Sequence, residues 1–90
     1  MSWQIEYTDT AKNQLCKLDK QIAHRILDYM DDRVLGSDDP RSAGKLLTGV
    51  LGGLWRYRIG DFRVICEIQD QALRVLVLRM GNRREVYRKR

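Results

Sequence analysis

Four arginines and a phenol, Arg56, Arg58, Arg63, Arg83 and Tyr87, are the side chains of this chain whose types and spacing could act together on one group. Guanidinium groups hold phosphate through forked hydrogen bonds and spread positive charge over its oxygens. Metal-free cleavage of RNA needs that charge. The 2′-hydroxyl attacks the adjacent phosphorus, one group helps remove the hydroxyl proton, another helps the leaving oxygen, and cations stabilise the phosphorane. The arginines could supply the cations. Tyr87 has two open readings. It stacks on a base or assists proton transfer, or it packs on the sheet edge as a tail aromatic.

Other chemistries lack their residues. The one histidine, His24, falls in a polar helical stretch, and no His, Cys and carboxylate cluster has metal-ligand spacing. No metal and no cofactor is expected. Gly49-Val50-Leu51-Gly52-Gly53 lacks the Lys and Ser/Thr of a nucleotide loop. Ser2, Ser37 and Ser42 have no nucleophile context. Cys16 and Cys66 read as small buried thiols, kept reduced. The N-terminus has no basic segment followed by an apolar run, and no apolar stretch approaches a membrane span. The expected location is the cytoplasm.

Charge is distributed unevenly. Residues 1–45 carry seven Lys/Arg and eight Asp/Glu, a net of −1; residues 46–90 carry ten and four, a net of +6, which together give the chain's +5. Nine of those last ten cations are Arg. Lysine would serve for solubility alone, so a polyanionic partner is the leading expectation. A generic basic surface competes with it until the positions are known.

Ninety residues predict one domain, 1–90. Residues 3–7 alternate as a short strand. Thr8 or Asp9 can cap a helix with Ala11, Leu15 and Leu18 on one face. Asp19 can cap a second helix with Ile22, Ile26, Tyr29, Met30 and Val34 on one face, ended by Gly36. The acidic run Asp28, Asp31, Asp32 reads as a solvated helix face. Residues 43–53 predict an irregular or partly helical connection. Three strands follow, over 54–59, 62–69 and 73–80. The expected fold class is α+β, in the order β-α-α-β-β-β, with a helical hairpin packed on a mostly antiparallel sheet.

Gly60-Asp61 suits a two-residue hairpin with Gly first. Pairing Ile59 with Phe62 then sets Arg58 opposite Arg63, Tyr57 opposite Val64 and Arg56 opposite Ile65. Alternation puts Arg56, Arg58 and Arg63 on one face, with Leu54, Ile65, Leu76 and Leu78. Trp55, Tyr57, Ile59, Phe62, Val64 and Cys66 take the core face. Two like charges directly opposite destabilise a sheet, and an anion between them relieves the repulsion. Pairing Ile68 with Leu73 would set Glu67 opposite Arg74 and so give Arg74 a structural partner.

Two blocks resemble a known family. One is Gly53-Leu54-Trp55-Arg56-Tyr57-Arg58-Ile59-Gly60-Asp61-Phe62-Arg63-Val64-Ile65, a strand–turn–strand signature. The other is Met80-Gly81-Asn82-Arg83-Arg84-Glu85-Val86-Tyr87, a Gly-x-Arg…Val-Tyr ending. Nearly the whole chain resembles the RelE toxins of the RelE/ParE toxin–antitoxin superfamily. The resemblance implies a ribosome-dependent, metal-independent endoribonuclease that cuts mRNA in the A site and inhibits translation. It implies a cognate antitoxin from the same operon, with operator DNA reached only through the toxin–antitoxin complex and no membrane partner. It carries catalytic roles to Arg56, Arg58, Arg63, Arg83 and Tyr87. Lys45, Arg84 and Arg88 are the further cations assigned to RNA. Arg56 and Arg58 stand where some active members have lysine, Thr48 where a basic residue often stands, and Asn82 where a basic residue or histidine is common. Two alternatives remain: a ParE-like gyrase inhibitor acting by binding, and a basic RNA-binding domain without catalysis.

Overall fold

Thr8 starts the first helix, as its position in the sequence predicts. Its hydroxyl accepts from the Ala11 N–H at 3.1 Å, satisfying one of the helix's orphan donors. A computed structural model gives the fold and describes residues 3–82. Strand β1 spans Gln4–Tyr7, helix α1 Asp9–Cys16 and helix α2 Lys20–Tyr29. Asp19 caps α2 by accepting from Gln21 N–H. The last turns, Met30–Leu35, widen to π-helical spacing and stop at Gly36, whose N–H donates to Asp31 O at 3.0 Å.

Residues 43–53 are more ordered than the sequence suggested. Between the 3-10 turns Pro40–Ala43 and Gly49–Leu51 lies a two-residue strand, β2, Lys45–Leu46. Strands β3 (Trp55–Ile59), β4 (Phe62–Gln69) and β5 (Arg74–Asn82) complete the sheet. The spatial order is β1-β5-β4-β3-β2. Only the β1–β5 pair is parallel, so the sheet is mostly antiparallel, as expected.

The helices cover one face of the sheet. Ala11, Ile26, Met30 and Val34 from the helical side meet Tyr57, Ile59, Val64, Cys66, Val75, Val77 and Met80 from the strands, all buried. Leu15, Leu18, Ile22 and Tyr29 pack half-buried around them. The helical spacing read from sequence therefore marks the true core stripe. Cys66 is buried, but Cys16 is exposed, contrary to expectation. It is the last residue of α1 and lies off the core-facing stripe of Ala11, Leu15 and Leu18.

The β3–β4 hairpin has the expected register, with Ile59 opposite Phe62 and Arg58 opposite Arg63. Gly60 has φ +61 and Asp61 is not in the positive-φ region, which defines the Gly-first turn. A side chain at Gly60 would be strained by that φ, and its Cβ would also lie 3.3 Å from Arg25 Nη2. Gly60→Val is therefore expected to lose about 1–2 kcal/mol of stability, read as a lower urea midpoint at unchanged slope. An unchanged midpoint would count against this turn.

The β4–β5 register differs from the sequence reading. Gln69 stands opposite Arg74, Ile68 opposite Val75 and Glu67 opposite Leu76. The connection takes a 3-10 turn, Asp70–Ala72, and then Leu73 at φ +51, a left-handed conformation uncommon for such a residue. This moves the pairing by two residues. Glu67 therefore does not face Arg74. Further along, Cys66 pairs with Val77 but Ile65 pairs with Arg79, so Leu78 is an extra, bulged residue.

Candidate nucleic-acid interface

The sheet face away from the helices carries the arginines. Pairing across strands arranges them in two rows. One row runs Lys45, Arg56, Ile65, Arg79 from β2 to β5. The next runs Arg58, Arg63, Gly81 from β3 to β5. Two like-charged pairs, Lys45 with Arg56 and Arg58 with Arg63, thus sit side by side. Gly81 places no side chain beside Arg63.

Burial differs along these rows. Arg58 is exposed, Arg56 half-buried, and Arg63 only 6% exposed. A surface arginine was expected at 63, and the structure sinks it into the sheet. Its Nη1 donates to Gly60 O at 3.5 Å, at the edge of hydrogen-bond range. The Nε atoms of both Arg63 and Arg56 are buried without an acceptor. No ion pair among the described residues involves either side chain. Buried polar groups nearly always have partners, so two unpaired Nε atoms in neighbouring cations need an explanation. The two side chains are diagonal neighbours across the β3–β4 pair, on the face that carries Arg58.

The opposite end of the same face is neutralised. Arg74 Nη1 lies 3.4 Å from Glu6 Oε1, and Arg74 Nε donates to Gln69 Oε1 at 2.6 Å. Gln69 Nε2 in turn donates to Glu67 at 2.9 Å. Arg74 thus has a structural partner, as the sequence suggested, but the carboxylate is Glu6 on β1. The face is therefore basic near the β3–β4 turn and balanced near the β4–β5 turn.

Lys45 is placed by anchors that the sequence did not reveal. Tyr57 OH, fully buried, donates to Pro40 O at 2.6 Å. Arg41 Nη2 donates to Asp70 at 2.5 Å, Arg41 Nη1 lies 3.6 Å from Asp39, and the guanidinium stands 5.7 Å from the Trp55 ring centre. These contacts fasten the segment leading into β2 to the β3 strand and the β4–β5 turn. The Arg41 hydrogen bond holds the Asp70 carboxyl below its usual range, and the same contact holds Arg41 above its own. The expected apolar row beside the arginines is less open than foreseen. Ile65 is fully buried, and Leu54, Leu76 and Leu78 are half-buried. Among the described residues the exposed large apolar side chains are Leu35, Leu46 and Val50.

Burial holds the phenols and the thiol packed against the core in their protonated forms. Burial, with Asp31 adding to it, pushes the Tyr7 phenol up to about 12. Burial raises Tyr57 and Cys66 as well. Arg83, Arg84, Tyr87 and Arg88 lie outside the described residues. Among the described residues no group of three or more His, Cys, Asp or Glu side chains could hold a metal ion. No helix among them is long and apolar enough to cross a membrane.

The family model described as "ParE toxin of type II toxin-antitoxin system, parDE" matches residues 5–87. The chain belongs to the RelE/ParE superfamily of type II toxins. The toxin is 29% identical to Toxin RelG of Mycobacterium tuberculosis, over 99% of this chain and 100% of that protein. It is 31% identical to Toxin RelE of the same organism, over 96% of this chain and 87% of that protein. Its fold superposes on the toxin–antitoxin complex RelBE2 of M. tuberculosis with a TM-score of 0.82 and 26% identity, covering 92% of this chain and 93% of that one.

Proposed function

We propose that this toxin is a ribosome-dependent endoribonuclease that cuts mRNA in the A site, without metal or cofactor. The carrying observation is the pair of buried, acceptorless Nε atoms at Arg56 and Arg63, beside the like-charged neighbour Arg58. A phosphodiester fits there by charge, and guanidinium groups hold phosphate through forked hydrogen bonds. The RNA's own 2′-hydroxyl attacks the phosphorus, the bond to the 5′-oxygen breaks, and the guanidinium groups carry the charge of the phosphorane. Arg83 completes the cation set, Tyr87 stacks on a base or assists proton transfer, and Lys45, Arg84 and Arg88 hold flanking RNA. The relatives named RelE and RelG support the reading.

A cognate antitoxin from the same operon is the second partner. The complex of RelBE2 supports it, and so does the basic face. An acidic, amphipathic antitoxin segment covers that face in this proposal and brings the toxin to operator DNA. The toxin acts in the cytoplasm, as one domain over residues 1–90. The ParE name of the matching family model favours a second reading, inhibition of gyrase by binding. Brief induction followed by mapping of mRNA ends separates the two. New mRNA ends within codons, with translation arrested, support cleavage. Intact translation with gyrase-linked DNA breaks would move the protein to the gyrase class.

Arg74 lies on the same face but outside this role. Arg74→Ala removes a half-exposed ion pair and one hydrogen bond, so the expected stability loss is at most about 1 kcal/mol. Ribosome-dependent cleavage by that variant should stay within a few-fold of the parent. A large cleavage loss with an intact fold would place Arg74 in the site and redraw its boundary.

A further inference from the structure

Simple alternation along β5 gives Arg79 the wrong side. Val77 is in the core, so Leu78 would point outward and Arg79 back among the buried residues. The bulge prevents this. Leu78 is the extra residue, the phase shifts by one, Arg79 comes opposite Ile65 on the basic face, and Met80 enters the core. A bulge beside a functional site re-aims a side chain in this way.

The bulge has its own supports, and all come from the first helix. Thr8 N–H donates to Val77 O at 3.0 Å as the last rung of the β1–β5 ladder, and the Thr8 hydroxyl donates to Leu78 O, the carbonyl of the bulged residue, at 2.8 Å. On the other side of Arg79, Met80 N–H donates to Gln14 Oε1 at 2.7 Å. Backbone groups on both sides of Arg79, Leu78 O and Met80 N–H, are thus held by side chains of the first helix and its cap. Thr8 is the cap of α1 and Gln14 lies within it, so the helix sets the phase of the distant strand.

We infer that Arg79 is a further RNA phosphate-binding side chain of this face, and that Gln14 and Thr8 are the positioning residues that hold it there. This rests on the reading of the face as an RNA site. Arg79 ends the row that begins with Lys45 and Arg56, so a strand of RNA crossing the sheet from β2 to β5 meets cations at both ends of its path.

The test uses the full-length toxin and a 2′-O-methyl RNA oligonucleotide, which cannot be cut. Binding is measured by fluorescence anisotropy over a series of KCl concentrations. Arg79→Gln should weaken binding alike for different sequences and lower the slope of log K against log salt by about 0.7, the loss of one phosphate contact on a single strand. Gln14→Leu should lower the slope by a similar amount, Gln14→Glu should preserve it by keeping the acceptor, and Gln14→Leu should add nothing further in the Arg79→Gln background. Thermal melts confirm that each variant is folded. Parent binding that depends on salt, with the slope unchanged in Arg79→Gln, overturns the inference alone. A parent that shows no salt-dependent RNA binding overturns the RNA reading of the face, and the inference with it.

Discussion

Replacing Arg63 by Met should leave a folded toxin that has lost ribosome-dependent cleavage by roughly 10²–10³-fold, the usual cost of removing one donor to a transition-state oxyanion. Arg63 is 6% exposed, faces Arg58 directly and has an Nε with no acceptor. No described carboxylate is lost with it. Met keeps much of the apolar stem and removes a buried charge that lacks a partner, so stability should hold or rise. The measurements are a cleavage assay on programmed ribosomes and a chemical denaturation curve. A variant that is less stable and still cuts at the parental rate would mean that Arg63 is a structural residue. Lower cleavage with equal or higher stability is the outcome that places it at the phosphate.

The largest stability effect is expected at Tyr57, which lies between the two basic residues Arg56 and Arg58 but points to the other face. Its side chain is fully buried in the core and its hydroxyl donates to Pro40 O at 2.6 Å. Tyr57→Ala should cost about 3–5 kcal/mol, the range for truncating a buried aromatic. That is a large part of the roughly 5–15 kcal/mol that holds a domain of ordinary stability together. Tyr57→Phe keeps the packing and removes only the donor, which leaves the Pro40 carbonyl unpaired and should cost about 1–3 kcal/mol. Urea unfolding of both variants measures the difference. Near-equal losses in the two would assign the stability to the hydrogen bond and not to ring packing. In the Phe variant the segment before β2 loses one of its anchors, so hydrogen exchange around residues 41–46 should quicken while the Arg41–Asp70 contact remains.

The β3–β4 hairpin was legible because its determinants are local. A Gly-Asp turn of two residues admits one register, and that register sets the faces of Arg56, Arg58 and Arg63 for the whole strand pair. The helical stripe was legible for the same reason, since Ile26, Met30 and Val34 repeat at helical spacing and are all buried. Charge asymmetry between the two halves of the chain also needs no coordinates. Lys45 was singled out, but not the two-residue strand that pairs it with Arg56, because so short an edge strand has no periodicity of its own.

The β4–β5 pairing could be decided only in three dimensions. Its connection uses Leu73 at φ +51, and nothing in a leucine announces that conformation. The partner of Arg74 is Glu6, on a strand that enters the sheet by parallel pairing across most of the chain length. The bulge at Leu78 is held by a threonine seventy positions earlier in the chain and by a glutamine on the first helix. Sequence periodicity would therefore have turned Arg79 inward. Packing of the helix on the sheet turns it outward, because the backbone groups that a bulge leaves unpaired are tolerated only where another element satisfies them. The burial of Arg63 belongs to the same class. Alternation gave its face, and only the assembled sheet decided its depth.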